Sequence, residues 1–151
     1  TAELRTNDEV GEITFEVDDQ TGEELAVALD ILRTTQGVLD VVQYMVSGKK
    51  GRLATSVRVL CYPDHIDRAI EQIFLQTTTI GLRKQILNRS VLNRENISLD
   101  GVSAKKSIRP DGVITIKADM DELKLNTSTQ AERSLRRNQL LQGAAKKNEK
   151  R

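Results

Sequence analysis

The sequence has few aromatic side chains and almost no residues that cross-link or bind soft metals. Phe, Tyr and Trp make up 3% of the 151 residues, and Trp is absent. Single-stranded nucleic acids bind largely by stacking bases on aromatic rings, so this composition disfavours that class of protein. The single cysteine, Cys61, excludes an internal disulfide. Together with the single histidine, His65, it leaves no cluster of thiolate and imidazole ligands for a soft transition metal.

Long hydrophobic runs are also missing. No apolar stretch approaches the roughly 18 residues that a membrane helix needs, and no signal peptide is recognisable. We therefore expect a soluble, cytoplasmic protein with no membrane partner. Because the chain opens with Thr1 rather than methionine, we expect it to be a piece of a longer protein with an upstream domain.

Charge is distributed unevenly, although the formal net charge is only +1. Residues 1–30 carry ten acidic side chains and one basic one, and residues 31–127 carry fifteen basic and ten acidic ones. Residues 128–151 carry seven basic and two acidic side chains. This basic end is compatible with nucleic-acid binding, but such a segment is more often solvated, so nucleic acid is a less favoured partner.

The hydrophobic pattern predicts the element order β-α-β-β-α-β. Alternation of apolar and polar residues predicts strands at 13–17, 39–46, 53–62 and 80–87. Thr21 and Glu24 form a capping-box pair that begins one helix, and Pro63 begins the other. Two helical crossovers around a central hairpin are typical of the ferredoxin-like split βαβ fold, an antiparallel four-stranded sheet with two helices on one face.

Further elements are predicted after this core. Strands are expected at 91–99, 102–107 and 113–117, and a helix with a weak apolar stripe at 127–147. We therefore predict an α+β fold with additional C-terminal strands and a C-terminal helix. The predicted organisation is a linker or disordered end at 1–11, a ferredoxin-like domain at 12–123 and a basic helical tail at 124–151.

Residues 77–83 read T-T-T-I-G-L-R and combine three hydroxyls, a glycine and a guanidinium. In an anion cradle, the threonines and Arg83 donate to phosphate or carboxylate oxygens, and Gly81 permits close approach. The alternative is a plain helix-to-strand junction, because β-branched residues with hydroxyls end helices well. From the spacing alone, the junction is favoured.

Two further segments suit a phosphate-bearing ligand. The hairpin G-K-K-G-R at 48–52 can gather basic side chains round a polyphosphate, although it lacks the Walker spacing. The alternative is an ordinary basic hairpin tip, and from this segment alone that alternative is favoured. Asp18 and Asp19 at a strand end suit Mg²⁺ or Mn²⁺, and the alternative is charge compensation at a helix N-terminus. A combined anion site is compatible with a contribution from a neighbouring subunit. No nucleophilic triad can be assembled, so catalytic residues stay unassigned.

Five motifs occur in one order along the chain: V-D-D-Q-T-G-E-E (17–24), G-V-L-D-V (37–41), G-K-K-G-R (48–52), T-T-T-I-G-L-R (77–83) and R-x-x-L-x-R-E (89–95). Together they resemble the C-terminal domain of the LarC nickel-insertion family over roughly residues 12–123. Two departures are visible. The family hairpin often reads M-K-K-G-R-P where this chain has G-K-K-G-R-L, and A-D-M-D-E-L at 118–123 replaces a P-E-Y-E-D-like stretch.

The resemblance implies a role in completing the nickel-pincer nucleotide cofactor used by lactate racemase and related enzymes. Family members are cyclometallases of the lyase class that insert nickel, as a substrate ion, into a pyridinium bisthiocarboxylate mononucleotide. The reaction depends on cytidine triphosphate (CTP) with Mn²⁺ or Mg²⁺. The C-terminal domain is expected to bind the metal–CTP complex and to form homo-oligomers. Its partner is the N-terminal domain of the same protein, without which the isolated domain is expected to be inactive.

The resemblance also implies roles for the candidate residues. The residues expected to contact the triphosphate or the mononucleotide phosphate are Lys49, Lys50, Arg52, Thr77, Thr78, Thr79, Arg83, Arg89 and Arg94. Asp18 or Asp19 is expected to help hold the divalent ion. Arg89 and Arg94 have an alternative role as strand-surface charges paired across a ladder. The alternative functions are a non-catalytic oligomerisation module with solvated basic loops and, less favoured, nucleic-acid binding through residues 133–151.

Overall fold

A computed structural model describes the backbone of residues 4–148 and the side-chain surroundings of residues 8–145. The described residues form two compact units, one from residue 6 to residue 89 and the other mainly from residue 90 onward. The elements of the first are β1 (Leu4–Val17), α1 (Gly22–Thr34), β2 (Val38–Ser47), β3 (Leu53–Cys61), α2 (Ile66–Gln76) and β4 (Arg83–Leu92).

The four strands of the first unit form one sheet in the order β2-β3-β1-β4. Strand β3 pairs antiparallel with both β1 and β2. This order places the central hairpin, β2 and β3, beside β1 and leaves β4 on the far edge of β1. The ferredoxin-like α+β fold predicted from the alternating pattern is therefore confirmed.

Alternating apolar residues place the core of this unit on one face of the sheet. Ile13, Phe15 and Val17 point inward from β1, and they pack with Leu29 of α1 and Ile73 of α2. Helix α1 begins at the predicted capping box, in which Glu24 N–H donates to Thr21 Oγ1 at 3.2 Å and Glu24 Oε2 accepts from Thr21 N–H at 3.1 Å. The cap fixes the start of the helix just after the end of β1.

The three threonines end helix α2, as predicted. Thr77 is its C-cap in an extended conformation, and its N–H donates to the Ile73 carbonyl at 3.0 Å. Its hydroxyl donates to the same oxygen at 2.8 Å. Strand β4 then begins at Arg83, so residues 77–82 form the connection between the helix and the sheet.

Strand β1 is longer than the sequence predicts. It begins at Leu4 rather than at Ile13, so residues 4–11 are strand where a linker was expected, and residues 1–3 lie outside the described chain. Within this extension, Asp8 has a partner on β4, because Arg89 Nε donates to Asp8 Oδ2 at 2.8 Å. Directly after it, Glu12 Oε1 accepts from Gln85 Nε2 of β4 at 2.9 Å. Polarity here reflects cross-strand partners rather than a solvated end.

The second unit has its own small core. Its elements are β5 (Arg94–Leu99), β6 (Val102–Ile108), β7 (Ile114–Ala118), α3 (Met120–Leu125) and α4 (Gln130–Asn148). The strands form an antiparallel sheet in the order β5-β6-β7. Val102 and Ala118 pack with Leu123 of α3 and Leu140 of α4, so both helices cover the same face of the sheet.

This division differs from the predicted single domain at 12–123. The predicted strand at 91–99 is interrupted at Asn93, between β4 and β5, and the two compact units divide close by, between residues 89 and 90. Helix α3 was not predicted; it begins because Asp119 Oδ1 accepts from the N–H groups of Asp121 and Glu122. The predicted C-terminal helix is present as α4. Within residues 4–148, no helix is long and apolar enough to cross a membrane.

Candidate anion-binding site

The C-terminal end of β1 brings together side chains from the two predicted phosphate-binding segments. Arg52 of the hairpin forms an ion pair with Asp18, with 2.9 Å between Nη2 and Oδ2. Thr78, from the connection after α2, donates its hydroxyl to Asp19 Oδ1 at 2.5 Å. The hairpin and the threonine segment therefore contact consecutive residues of one loop. We name the set Glu16, Asp18, Asp19, Arg52, Thr78 and Arg83 the β1-end cluster.

Arg83 contributes to this cluster through a bidentate ion pair with Glu16. The two donor–acceptor distances are 3.0 Å for Nη1–Oε2 and 2.7 Å for Nη2–Oε1. Hydrogen bonding to the guanidinium holds the pKa of Glu16 below its ordinary value, against an opposing effect of desolvation, and the same contact raises the pKa of Arg83. An incoming phosphate must therefore compete with Glu16 for this arginine.

Glu16 was not among the predicted site residues. It lies on the polar face of β1, between the buried Phe15 and Val17, and it also accepts a hydrogen bond from Ser56 at 3.3 Å. The available signal was its position: an acidic residue at the end of an alternating strand, directly before Asp18-Asp19. Gln20 was missed as well. Its side chain accepts from Thr78 N–H and donates to the Gln76 carbonyl, both at 3.3 Å.

The three threonines have different partners. The Thr77 hydroxyl is engaged by the end of helix α2, and the Thr79 hydroxyl donates to the Gly81 carbonyl at 2.9 Å. Only Thr78 reaches across to the β1 loop. A β-carbon at Gly81 would meet no protein atom within 4 Å, so the surface there is open to a ligand.

Lys49 and Lys50 lie in a single 3₁₀ turn at the tip of the hairpin, and both are exposed. Among the residues that the structure describes, neither forms an ion pair with a carboxylate. Lys50 adopts a left-handed backbone conformation with φ 59°, which residues other than glycine rarely adopt. The hairpin thus presents two unpaired ammonium groups beside the ion-paired Arg52.

Asp18 and Asp19 each have one hydrogen-bond or ion-pair partner among the described residues, Arg52 and Thr78 respectively. Within the described part of the chain, no group of three or more His, Cys, Asp and Glu residues lies close enough to hold a metal ion. Mg²⁺ is commonly bound by one or two carboxylates, with phosphate and water oxygens completing its shell. The pair therefore fits a divalent ion that arrives with a polyphosphate.

The two remaining predicted arginines lie elsewhere. Arg89 binds Asp8, and six residues along β4 separate it from Arg83, a distance of about 20 Å at the usual rise of a strand. Arg94 is the first residue of β5 and belongs to the second unit. The structure therefore brings Arg52 and Thr78 to Asp18 and Asp19, and it places Arg83 on Glu16, two residues before Asp18. Arg89 lies apart from them.

Comparison with known proteins gives a consistent family. A sequence model described as nickel insertion protein matches residues 1–137. A putative nickel insertion protein of Rhodopirellula baltica is 41% identical over 121 residues, which cover 78% of this chain and 30% of the relative. The pyridinium-3,5-bisthiocarboxylic acid mononucleotide nickel insertion protein of Akkermansia muciniphila is 39% identical over 85 residues, 56% of this chain and 21% of that protein. The chain thus spans less than a third of the length of these relatives.

A solved structure has the same fold. It is described as LarC2, the C-terminal domain of a cyclometallase involved in the synthesis of the NPN cofactor of lactate racemase, in its apo form. The match has a TM-score of 0.69 at 30% sequence identity and covers 78% of this chain and 83% of that chain. The predicted resemblance to the LarC family is confirmed.

Proposed function

This chain belongs to the nickel insertion protein family, and we propose that it is the C-terminal, metal–CTP-binding and oligomerising domain of a CTP-dependent nickel insertase. The whole protein would insert nickel, as substrate, into a pyridinium bisthiocarboxylate mononucleotide and so complete the nickel-pincer nucleotide cofactor. The name of the Akkermansia relative and the match to the LarC C-terminal domain support this assignment.

The single observation that carries the nucleotide role is the convergence of two segments on one loop. Arg52 contacts Asp18 and Thr78 contacts Asp19, although the three segments are separated by 26 or more residues in sequence. A hydroxyl, guanidinium groups and nearby carboxylates at one end of a sheet are the groups that a metal–triphosphate complex requires. If the basic hairpin were only a solvated loop, its function would not require these contacts with the aspartates.

Charge balance indicates how such a ligand binds. With the hairpin lysines included, the cluster contains four basic and three acidic side chains, whereas a triphosphate carries several negative charges. Lys49 and Lys50 supply positive charge without losing a protein partner. Arg52 and Arg83 exchange a carboxylate for a phosphate, and because their ion pairs are exposed, each exchange costs only about 0–1 kcal/mol.

A divalent ion bound with the nucleotide would be held by Asp18 or Asp19, and it would supply charge neutralisation on the phosphate oxygens. The protein groups do the positioning. Thr78 and the Gln20 amide fix the loop that carries the aspartates, and Arg83 orients a phosphate through its planar fork.

The direct test is calorimetric titration of the chain with CTP, with and without Mn²⁺. We expect binding that requires the metal and that weakens at least tenfold in the Lys49→Gln/Lys50→Gln double variant. Lys124→Gln, an exposed lysine of α3, is the matched control and should leave the affinity unchanged. Absence of binding at millimolar CTP by the folded protein, or equal effects of both changes, contradicts the assignment.

A non-catalytic oligomerisation module is the second candidate, and one observation favours it. Both arginines of the β1-end cluster have carboxylate partners within the chain. Sedimentation velocity separates the two functions when it is combined with the titration. Assembly without nucleotide binding supports the module, and nucleotide binding that requires the hairpin lysines supports the nucleotide-binding domain.

A further inference from the structure

The second unit has a basic sheet face that the proposed nucleotide site does not use. Lys105 of β6 and Lys117 of β7 are directly opposite each other in the antiparallel register. Asn96 of β5 is opposite Lys105 on its other side. Because side chains alternate along a strand, these three point away from the face that carries Val102 and Ala118 and is covered by α3 and α4.

Like charges directly opposite each other destabilise a sheet. Both lysines are exposed, and neither forms an ion pair with a carboxylate in the part of the chain that the structure describes. The neighbouring Lys106, on the other face of β6, does have a partner, since its Nζ lies 3.9 Å from Glu95 Oε2. The unpaired lysines therefore stand out from the charges beside them, as expected for a surface that binds an anion.

These residues line an open groove of about 770 Å³, a size that accommodates a mononucleotide. Arg94, Ser98 and Ser103 complete its polar lining on the strands. Asp119 and Asp121 lie at one edge, and Asp119 Oδ1 is already engaged in capping α3. The groove is thus cationic across its strands and acidic only at that edge.

We propose that this groove binds a multiply anionic mononucleotide, one that carries a phosphate together with carboxylate-type groups on its ring. The substrate class rests on the proposed function, in which the nickel acceptor is a pyridinium mononucleotide with two thiocarboxylates. The two facing ammonium groups bind the phosphate, and the guanidinium of Arg94 matches the planar geometry of a ring carboxylate. The donors of Asn96 and Ser98 remain for the ribose hydroxyls.

The site is separate from the β1-end cluster in chemistry as well as in position along the chain. Both cluster arginines are ion-paired with carboxylates and lie beside an Asp-Asp pair suited to a metal–polyphosphate. The groove has its two aspartates at one edge, and the two lysines on its strands have no carboxylate partner among the described residues. One chain thereby offers one site for the metal–nucleotide complex and one for the organic substrate.

The test is an NMR titration of the whole chain with nicotinic acid mononucleotide, a stable pyridinium mononucleotide with one phosphate and one carboxylate. We expect shifts of the amide signals of β6 and β7, and at least tenfold weaker binding in Lys105→Gln/Lys117→Gln. Lys106→Gln, which neutralises one lysine on the other face of the same strand, is the control and should bind as the wild type does. Lys105→Arg/Lys117→Arg keeps the charge and should keep the binding.

Thermal unfolding without ligand gives a second readout. Removal of the like-charge pair should leave the double Gln variant at least as stable as the wild type, so weaker binding cannot be ascribed to unfolding. No shifts in β6 and β7, or equal weakening by Lys106→Gln, would overturn the proposal. Displacement of the probe by Mg²⁺–CTP would also overturn it, because the groove would then be the nucleotide site. A failure of the proposed function gives a different result: the chain then does not bind CTP but still binds nicotinic acid mononucleotide.

Discussion

Replacement of Glu16 by glutamine should increase the affinity of the chain for a metal–CTP complex. In the wild type, both nitrogens of the Arg83 fork are occupied by the Glu16 carboxylate, at 3.0 and 2.7 Å. Glutamine keeps the size of the side chain but removes the charge, so the guanidinium becomes available to a phosphate. A unit charge removed at about 4 Å from a phosphate in water is worth about 1 kcal/mol, or roughly fivefold in affinity.

The effect on stability should be smaller. The two side chains are 65% and 44% exposed, and ion pairs at this exposure contribute about 0–1 kcal/mol. Isothermal titration with Mn²⁺ and CTP measures the affinity, and Glu12→Gln is the matched control because Glu12 lies farther along β1 and pairs with the neutral Gln85. If Glu16→Gln weakens binding, or if both variants change the affinity equally, Arg83 is not the phosphate ligand inferred here.

The ion pair between Arg83 and Glu16 also makes the stability of the fold depend on pH. Because the Arg83 hydrogen bonds lower the pKa of Glu16 in the folded protein, the stabilisation is present above the unfolded-state pKa of this carboxyl. It is lost as the pH falls through the lower folded-state pKa. Chemical denaturation across the acidic range should show a smaller loss of stability in Glu16→Gln than in the wild type, and parallel curves would argue against the ion pair.

Three further changes test neighbouring parts of the account. Thr78→Val should weaken CTP binding severalfold in a titration, because it removes the hydroxyl that holds Asp19. Thr79→Val should leave the affinity unchanged, because the Thr79 hydroxyl bonds only to the nearby Gly81 carbonyl. Lys50→Gly should raise the free energy of unfolding by up to about 1 kcal/mol, because glycine adopts a positive φ without strain. The same change should weaken CTP binding, because it removes an ammonium group. A lower free energy of unfolding would refute the argument from backbone strain. Phe15→Ala should cost about 3–5 kcal/mol in urea denaturation, because the ring is fully buried between sheet and helices.

The ferredoxin-like core could be predicted because its signals are local. Alternation at Ile13, Phe15 and Val17 marks a half-buried strand, and the Thr21–Glu24 spacing marks a helix start without any knowledge of the fold. The N-terminal half of β1 could not be predicted in this way. Asp8, in this half, has its partner on β4, 81 residues away in sequence, so composition alone resembles a linker.

The division into two units was hidden for a related reason. Residues 83–99 form an almost continuous run of strand, and only Asn93 separates β4 from β5. A break of one residue leaves no composition change of the kind that marks a linker. Helix α3, at six residues, is likewise too short to show a helical period, and Asp119 as its N-cap is the one local signal.

The candidate site was predictable as residue types but not as pairs. The sequence indicates which segments carry phosphate-binding groups, and the structure places Arg52 and Thr78 beside the predicted aspartates. The sequence does not indicate that Arg83 pairs with Glu16, or that the hydroxyls of Thr77 and Thr79 donate to backbone carbonyls. The partner of each donor depends on tertiary geometry, because the sequence offers several possible acceptors for each of these side chains.

The most direct measurement is a crystal structure of the chain grown with CTP and Mn²⁺, in which the anomalous signal locates the metal. We expect manganese beside Asp18 or Asp19, with triphosphate oxygens within hydrogen-bond distance of Thr78 and the hairpin lysines. Manganese and triphosphate bound instead in the groove at Lys105 and Lys117, with an unchanged Arg83–Glu16 pair, would contradict this expectation.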